Sequence, residues 1–317
     1  ENDERARDRR RRYGDQGRAR GRGGGTAARR APQDPDPAAG DAGGDRGGHR
    51  WGVELVGCTF DALFHHGHPL ARLYAPCSRL RVQNAVARAP FVHYVTAEFL
   101  QKRYPSTGIE AAFSDVSLPT PCPAVLDRRL ARIRDRRGPV IFGLIGTLKV
   151  RYKGVHLALR ALSHVRRLLP DFLFRVLGPG DPRPWRQQAR ALGLGRHVIF
   201  DGVLPAGDEV LRWLDGLDVY LQPSLAEALP RGLIEAMSRG LPALGSTAGE
   251  IPTLLDERCL HEPGDWRRLA TQLVGTTRRG WRVEEGVRNF GRARDFAPGL
   301  LAQPKKRWLA RVSLPTR

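Results

Sequence analysis

The sequence predicts an α/β protein whose larger part is a doubly wound parallel sheet. From Val140 to Val274, short apolar runs alternate with amphipathic segments six times, the pattern of strand and helix units wound into one sheet. A shorter stretch of folded-type composition, 51–120, stands before it, and a Pro- and Arg-rich segment, 121–139, joins the two. The expectation is therefore two lobes, the second complete and the first partial.

Taken in order, residues 1–50 hold no Val, Ile, Leu, Met, Phe, Trp or Cys. Such a segment cannot bury enough apolar surface to offset its ordering entropy, and it is expected to be disordered. The chain opens on Glu1 and its only Met is Met237, so it reads as a fragment or as a chain whose upstream part is misread. In 51–120, Val53, Leu55 and Val56 suggest a strand. Phe64 to Pro69 (FHHGHP) then reads as a polar loop, and Leu70, Leu73, Leu80, Val82 and Val86 continue a helical pattern. A metal reading of His65, His66 and His68 lacks a carboxylate or Cys partner at ligand spacing. Pro90 to Val95 is a compact strand, Thr96 is an N-cap for a helix from Ala97 to Tyr104, and Pro105 ends that helix.

In the second lobe, 140–283, strands are expected at Val140–Ile145, Phe172–Leu177, Val198–Phe200, Leu217–Leu221, Ala243–Gly245 and Cys259–Leu260. Helices are expected at Gly154–Leu169, Trp185–Leu192, Asp208–Asp215, near Pro230, at Ile251–Leu255 and at Asp265–Val274. Ligands of such a sheet sit outside the carboxyl ends of the strands. The loop Gly146 to Gly154 (GTLKVRYKG) follows the first strand and carries Thr147, Lys149, Arg151 and Lys153. The last segment, 284–317, reads as amphipathic helices.

The loop after the fourth strand carries the chemistry. Pro223 to Pro242 reads PSLAEALPRGLIEAMSRGLP, with Glu227 and Glu235 separated by seven residues. Pro230 is preorganised for a first helical turn, and Leu233, Ile234 and Met237 follow at helical spacing. The first N–H groups of that helix lack intrahelical partners and carry the positive end of its dipole, so a phosphate against the turn Ala228, Leu229, Arg231 and Gly232 would be stabilised. Glu235, one turn further in, can accept hydrogen bonds from two vicinal hydroxyls, and Glu227 lies towards the ligand's far end. For a bare pair at this spacing, two exposed charges on an ordinary helix is an equal reading.

The setting of Glu227, Glu235, Ala236, Met237, Gly240 and Pro242 resembles that of retaining glycosyltransferases of the GT-B fold, in particular glycosyltransferase family 4. Tyr94 to Pro105 (YVTAEFLQKRYP) is similar to the last βα unit of that family's acceptor lobe, and Ser114 to Val116 resembles the strand that follows it. The resemblance implies two Rossmann-like lobes, a nucleoside diphosphate sugar as donor, a glycan or lipid-linked acceptor, and no metal. It implies that Glu235 holds the ribose, that Glu227 orients the sugar, and that Lys153, which matches the family's Lys-Gly pair, meets the diphosphate. Gly146, Thr147 and Arg151 are implied beside that diphosphate; family members often carry Arg where this chain has Thr147. Val203, in the turn Gly202 to Pro205, resembles the residue whose backbone holds the base, and Ala248-Gly249 stands where a Gly-Gly pair lies beside the donor. The helices of 284–317 are implied to cross back onto the first lobe.

Composition narrows the field. The formal charge of +20 rests on 53 basic residues, but only five are Lys. An Arg, Ala, Gly and Pro excess of this kind follows from GC-rich coding, so charge is a weak functional signal and nucleic acid is not the expected partner. The alternative is an inactive donor lobe whose Arg/Gly-rich start binds RNA or another polyanion. Cys58, Cys77, Cys122 and Cys259 form no C-x-x-C pair, which fits reduced cytoplasmic thiols. No stretch reaches the roughly 18 apolar residues of a membrane span. Lys305, Lys306, Arg307 and Arg311 read as a solvated face that could also touch anionic lipid heads at the inner face of a membrane.

Overall fold

The computed structural model describes residues 51–116 and 118–313, without the Ser313 side chain. The segment 1–50, expected to be disordered, lies outside the described residues. The first lobe runs β1 (Gly52–Leu55), α1 (Thr59–Phe64), α2 (Pro69–Arg88), β2 (Phe91–Tyr94), α3 (Phe99–Arg103) and β3 (Ile109–Ala112). Its three strands are parallel in the order β1-β2-β3, with Leu55 opposite Tyr94 and Tyr94 opposite Ala112. Leu55, Cys58, Val86, Val92, Tyr94, Leu100 and Tyr104 form its core.

Three local expectations are corrected. The strand following α3 is 109–112, where all four residues stand in parallel register with β2, and Ser114 to Val116 is not a strand. The helix expected from Ala97 with Thr96 as its N-cap begins at Phe99 with Glu98 in the N-cap position; Thr96, two residues earlier, still reaches it, its Oγ1 accepting from Leu100 N at 3.0 Å. The helix α1 precedes the histidine loop, and His68 is an N-cap whose Nδ1 accepts from Leu70 N.

The helix α4 (Pro123–Asp135) leads into the second lobe. Its Arg129 is 3 % exposed and donates to the carbonyls of Leu214, Leu217 and Arg239. Burial lowers its pKa to about 10, and the three carbonyls supply the acceptors that a buried guanidinium needs. Arg136 pairs with the buried Asp218 at 2.7 Å, so the linker is tied to the base of the second sheet.

The second lobe follows as β4 (Val140–Ile145), α5 (Val155–Val165), β5 (Phe172–Leu177), α6 (Arg183–Ala191), β6 (Val198–Gly202), α7 (Asp208–Asp215), β7 (Val219–Gln222), α8 (Arg231–Ser238), β8 (Ala243–Ser246), α9 (Ile251–Leu254), β9 (Leu260–His261) and α10 (Trp266–Gly275). Its six strands are parallel in the order β6-β5-β4-β7-β8-β9. The chain winds outward from β4 through β5 to β6, then restarts at β7 on the other side. A crevice therefore opens outside the carboxyl ends of β4 and β7, where the loops 146–154 and 223–230 leave the sheet. The helix α11 (Arg279–Ala293) packs on α4 and α8, while α12 (Pro298–Ser313) brings Trp308 edge-on to Phe91 of β2.

The two crevice loops touch at Gly154. Its φ is +77°, and a Cβ there would stand 1.9 Å from the Pro223 carbonyl oxygen. Gly154→Ala should cost on the order of 3 kcal/mol in urea unfolding, adding left-handed strain to a backbone clash. Gly291→Ala, in α11 with open space around its Cβ, should instead stabilise by up to about 1 kcal/mol. Equal midpoints for the two variants would contradict this packing of the loops.

Candidate active site

The site is built from the end of β7. Alternate residues of an extended chain share a face, so Tyr220, Gln222 and Ser224 point the same way. The Tyr220 hydroxyl is buried, accepts from Ile145 N at 3.3 Å and donates to Gln222 Oε1 at 3.0 Å. Burial raises its pKa far above the ordinary range, so it remains a donor. Gln222 Nε2 in turn donates to Ser224 Oγ at 2.8 Å and to Glu227 Oε2 at 3.0 Å, and Ser224 Oγ donates to Glu227 Oε2 at 3.1 Å.

Lys153 completes the network. Its Nζ lies 2.8 Å and 3.0 Å from the two carboxylate oxygens of Glu227, with the Glu227 side chain only 9 % exposed. Gly146 permits this approach, since a Cβ there would stand 3.0 Å from Lys153 Cβ. Glu227 thus receives four hydrogen bonds, each of the class that contributes about 1.5–3 kcal/mol when one partner is charged. Its position is fixed before any ligand arrives.

Glu235 is the opposite case. It lies on α8, half-buried, and its carboxylate has no hydrogen-bond or ion-pair partner among the described residues. Burial raises its pKa against the weaker opposing pull of Arg231. A half-buried carboxylate that is left unpaired costs stability, which an incoming donor of hydrogen bonds would recover. Between the two glutamates, Gly232 stands where a Cβ would meet the Tyr220 hydroxyl at 2.6 Å.

The remaining expected residues divide into two groups. Ala228 and Leu229 line a pocket with Lys153 and Glu227, Gly146 lies against Lys153 and Gly232 against Tyr220, whereas the Leu233 side chain is wholly buried in the core. Arg231 reaches across to Asp115 of the first lobe, and its amide is donated to Leu229 O. Thr147 donates to Pro179 O. Arg151 is not brought to the pair: its guanidinium lies over the Trp185 ring, in a separate pocket with Lys149 and Gln188. Val203 is exposed just beyond β6, two strands from β4, and is not brought to the pair either.

A pocket of about 180 Å³ lies between the lobes at Lys153 and Glu227, and its first-lobe wall runs from Val56 to Ala62 and includes Cys58 and Asp61. No histidine lines it. His93 is stacked on Phe113 and bonded to Glu54 and to Phe113 O. Cys58 and Asp61 had no sequence signal beyond following a strand. The Tyr220 to Ser224 relay could have been read from its alternation towards Glu227. A larger cavity of about 720 Å³ lies at the amino end of β5, beside Asp171 and His197, at the wrong end of the sheet for a ligand.

Comparison with known proteins bears on this geometry. Residues 139–278 match the family model described as glycosyl transferases group 1. Protein CapJ of Staphylococcus aureus is 29% identical over 222 residues, covering 70% of this chain and 55% of CapJ. A GDP-mannose-dependent alpha-(1-6)-phosphatidylinositol monomannoside mannosyltransferase of Mycolicibacterium smegmatis is 30% identical over 212 residues, covering 60% of this chain and 53% of that protein. The chain thus spans about half the length of both relatives. Among solved structures, sucrose-phosphate synthase of Thermosynechococcus elongatus superimposes with a TM-score of 0.67 at 17% identity, covering 83% of this chain and 68% of that one. Anabaena Alr3699/HepE in complex with UDP and glucose gives 0.59 at 18% identity, covering 74% of this chain and 66% of that one. The fold is accordingly of the GT-B type, two parallel α/β lobes of three and six strands.

The unpaired Glu235 carboxylate sets a pH dependence. A carboxyl whose folded pKa lies above its unfolded value contributes stability at low pH that is lost as pH rises through the folded pKa. Glu235→Gln, which removes the buried charge, should therefore melt at a higher temperature than the parent near pH 7.5. The gap should close as pH falls below the ordinary value of 4.5. A gap independent of pH would contradict the assignment of an unpaired, partly desolvated charge.

Proposed function

We propose that this chain, whose residues 139–278 are a glycosyl transferases group 1 domain, is a retaining glycosyltransferase of family 4 type acting in polysaccharide biosynthesis. It moves a hexosyl unit from a nucleoside diphosphate sugar to a glycan or lipid-linked acceptor. The observation that carries the reading is the contrast between the two glutamates: Glu227 is fixed by Lys153, Gln222 and Ser224, and Glu235, half-buried on α8, has no partner for its carboxylate among the described residues.

In this reading Glu235 accepts hydrogen bonds from the ribose hydroxyls, and the diphosphate lies against the start of α8 and Lys153. Positive charge developing at the anomeric carbon as the sugar–phosphate bond breaks is met by the Glu227 carboxylate. The acceptor hydroxyl enters on the face the diphosphate leaves, and its proton passes to a departing phosphate oxygen, so configuration is retained. Lys153 and the helix start supply the charge that stabilises the leaving group, and turnover should accordingly persist in EDTA. The similarity to CapJ and to the mannosyltransferase supports the class.

Calorimetric titration of the purified chain with UDP, GDP and ADP tests the site. One nucleotide should bind in the micromolar range, and Glu235→Ala should weaken it by about tenfold or more, as expected when a hydroxyl loses a charged acceptor. A folded sample that binds none of the three removes the donor-site assignment.

A further inference from the structure

Glu250, immediately after the small-residue loop that follows β8, has no role in the chemistry above, yet it is only 3 % exposed and its carboxylate crosses to the other lobe. Oε1 accepts from Ala97 N at 3.1 Å and Oε2 from Phe99 N at 3.0 Å, so the two oxygens meet the first amide of α3 and one two residues before it. A carboxylate bridging two backbone N–H groups at a helix start makes charge-assisted bonds with favourable dipole orientation.

The same residue grips the glutamate loop from behind. Its own N–H donates to Ala228 O at 2.9 Å. The preceding Gly249 has φ +62° and lies so close to that loop that a Cβ would stand 2.3 Å from Glu227 O, which excludes any other side chain. Ala228 itself is buried in the first lobe's apolar cluster with Leu55, Cys58 and Val95, and Leu229 packs against both cores. Loop 226–229, which carries Glu227, is therefore clasped between Glu250 and the first lobe. We propose that Glu250 is a positioning residue that couples the start of α3 to loop 226–229, so that Glu227 is held against Lys153 only when the two lobes are latched. The consequence for turnover rests on the transferase reading; the coupling itself does not.

Hydrogen exchange of the wild-type chain, Glu250→Gln and Glu250→Ala, read segment by segment, tests it. In Glu250→Ala, amides of 97–100 and of 226–229 should both exchange about tenfold faster or more, while β4 and β5 keep their protection. Glu250→Gln, with a single acceptor oxygen, should fall between. A merely local cap would speed 97–100 alone, and a merely global loss of stability would speed β4 and β5 as well; either result overturns the coupling. In the same samples, with the nucleotide sugar of whichever nucleotide binds, kcat for nucleotide release should fall about tenfold with KM within about threefold of wild type. A fall in both or in neither would overturn the positioning role. A wild-type chain that binds no nucleotide sinks the transferase reading, and the exchange result still decides the coupling.

Discussion

The ion pair between Lys153 and Glu227 is the contact on which the rest depends, because it joins the loops leaving two different strands at the switch point of the sheet. Lys153 can reach Glu227 only because Gly146 and Gly154 let backbone come close, at 3.0 Å to Lys153 Cβ and 1.9 Å to Pro223 O for the side chains they lack. Tyr220, Gln222 and Ser224 then carry the position of that pair back to Ile145 at the end of β4. A buried polar chain of this kind is stable only when each member is satisfied, and here each is.

Against that fixed half stands an unsatisfied one. Glu235 holds a carboxylate partly out of water with only the electrostatic pull of Arg231 in its favour. Stability has been given up at one position of α8 while the surrounding Leu233, Ile234, Ala236 and Met237 are fully buried. Local costs of this kind within a well-packed element point to ligand binding, since the packing itself gives no reason for the charge.

Much of this was legible in the sequence. The strands β4 and β5 and the helix α7 stand at the residues expected, because continuous apolar runs and one-sided periodicity are strong local signals. The helix α1 was not legible: it has six residues and buries none of them, so it leaves no periodic stripe. The strand β3 is an exposed edge whose place is set by pairing with β2 rather than by composition. At the site, the Glu227 and Glu235 spacing and Lys153 could be read along the chain. The Arg151 contact with Trp185 could not, nor could the reach of Glu250 to Ala97, because both depend on which loops the sheet brings together.

The most direct measurement is a crystal structure of the chain with the nucleotide that calorimetry selects. The account predicts both ribose hydroxyls within hydrogen-bonding distance of the Glu235 carboxylate and the diphosphate against the start of α8 beside Lys153 Nζ. A nucleotide seated elsewhere, such as the cavity by His197 at the amino end of β5, with Glu235 still unpaired, would contradict it.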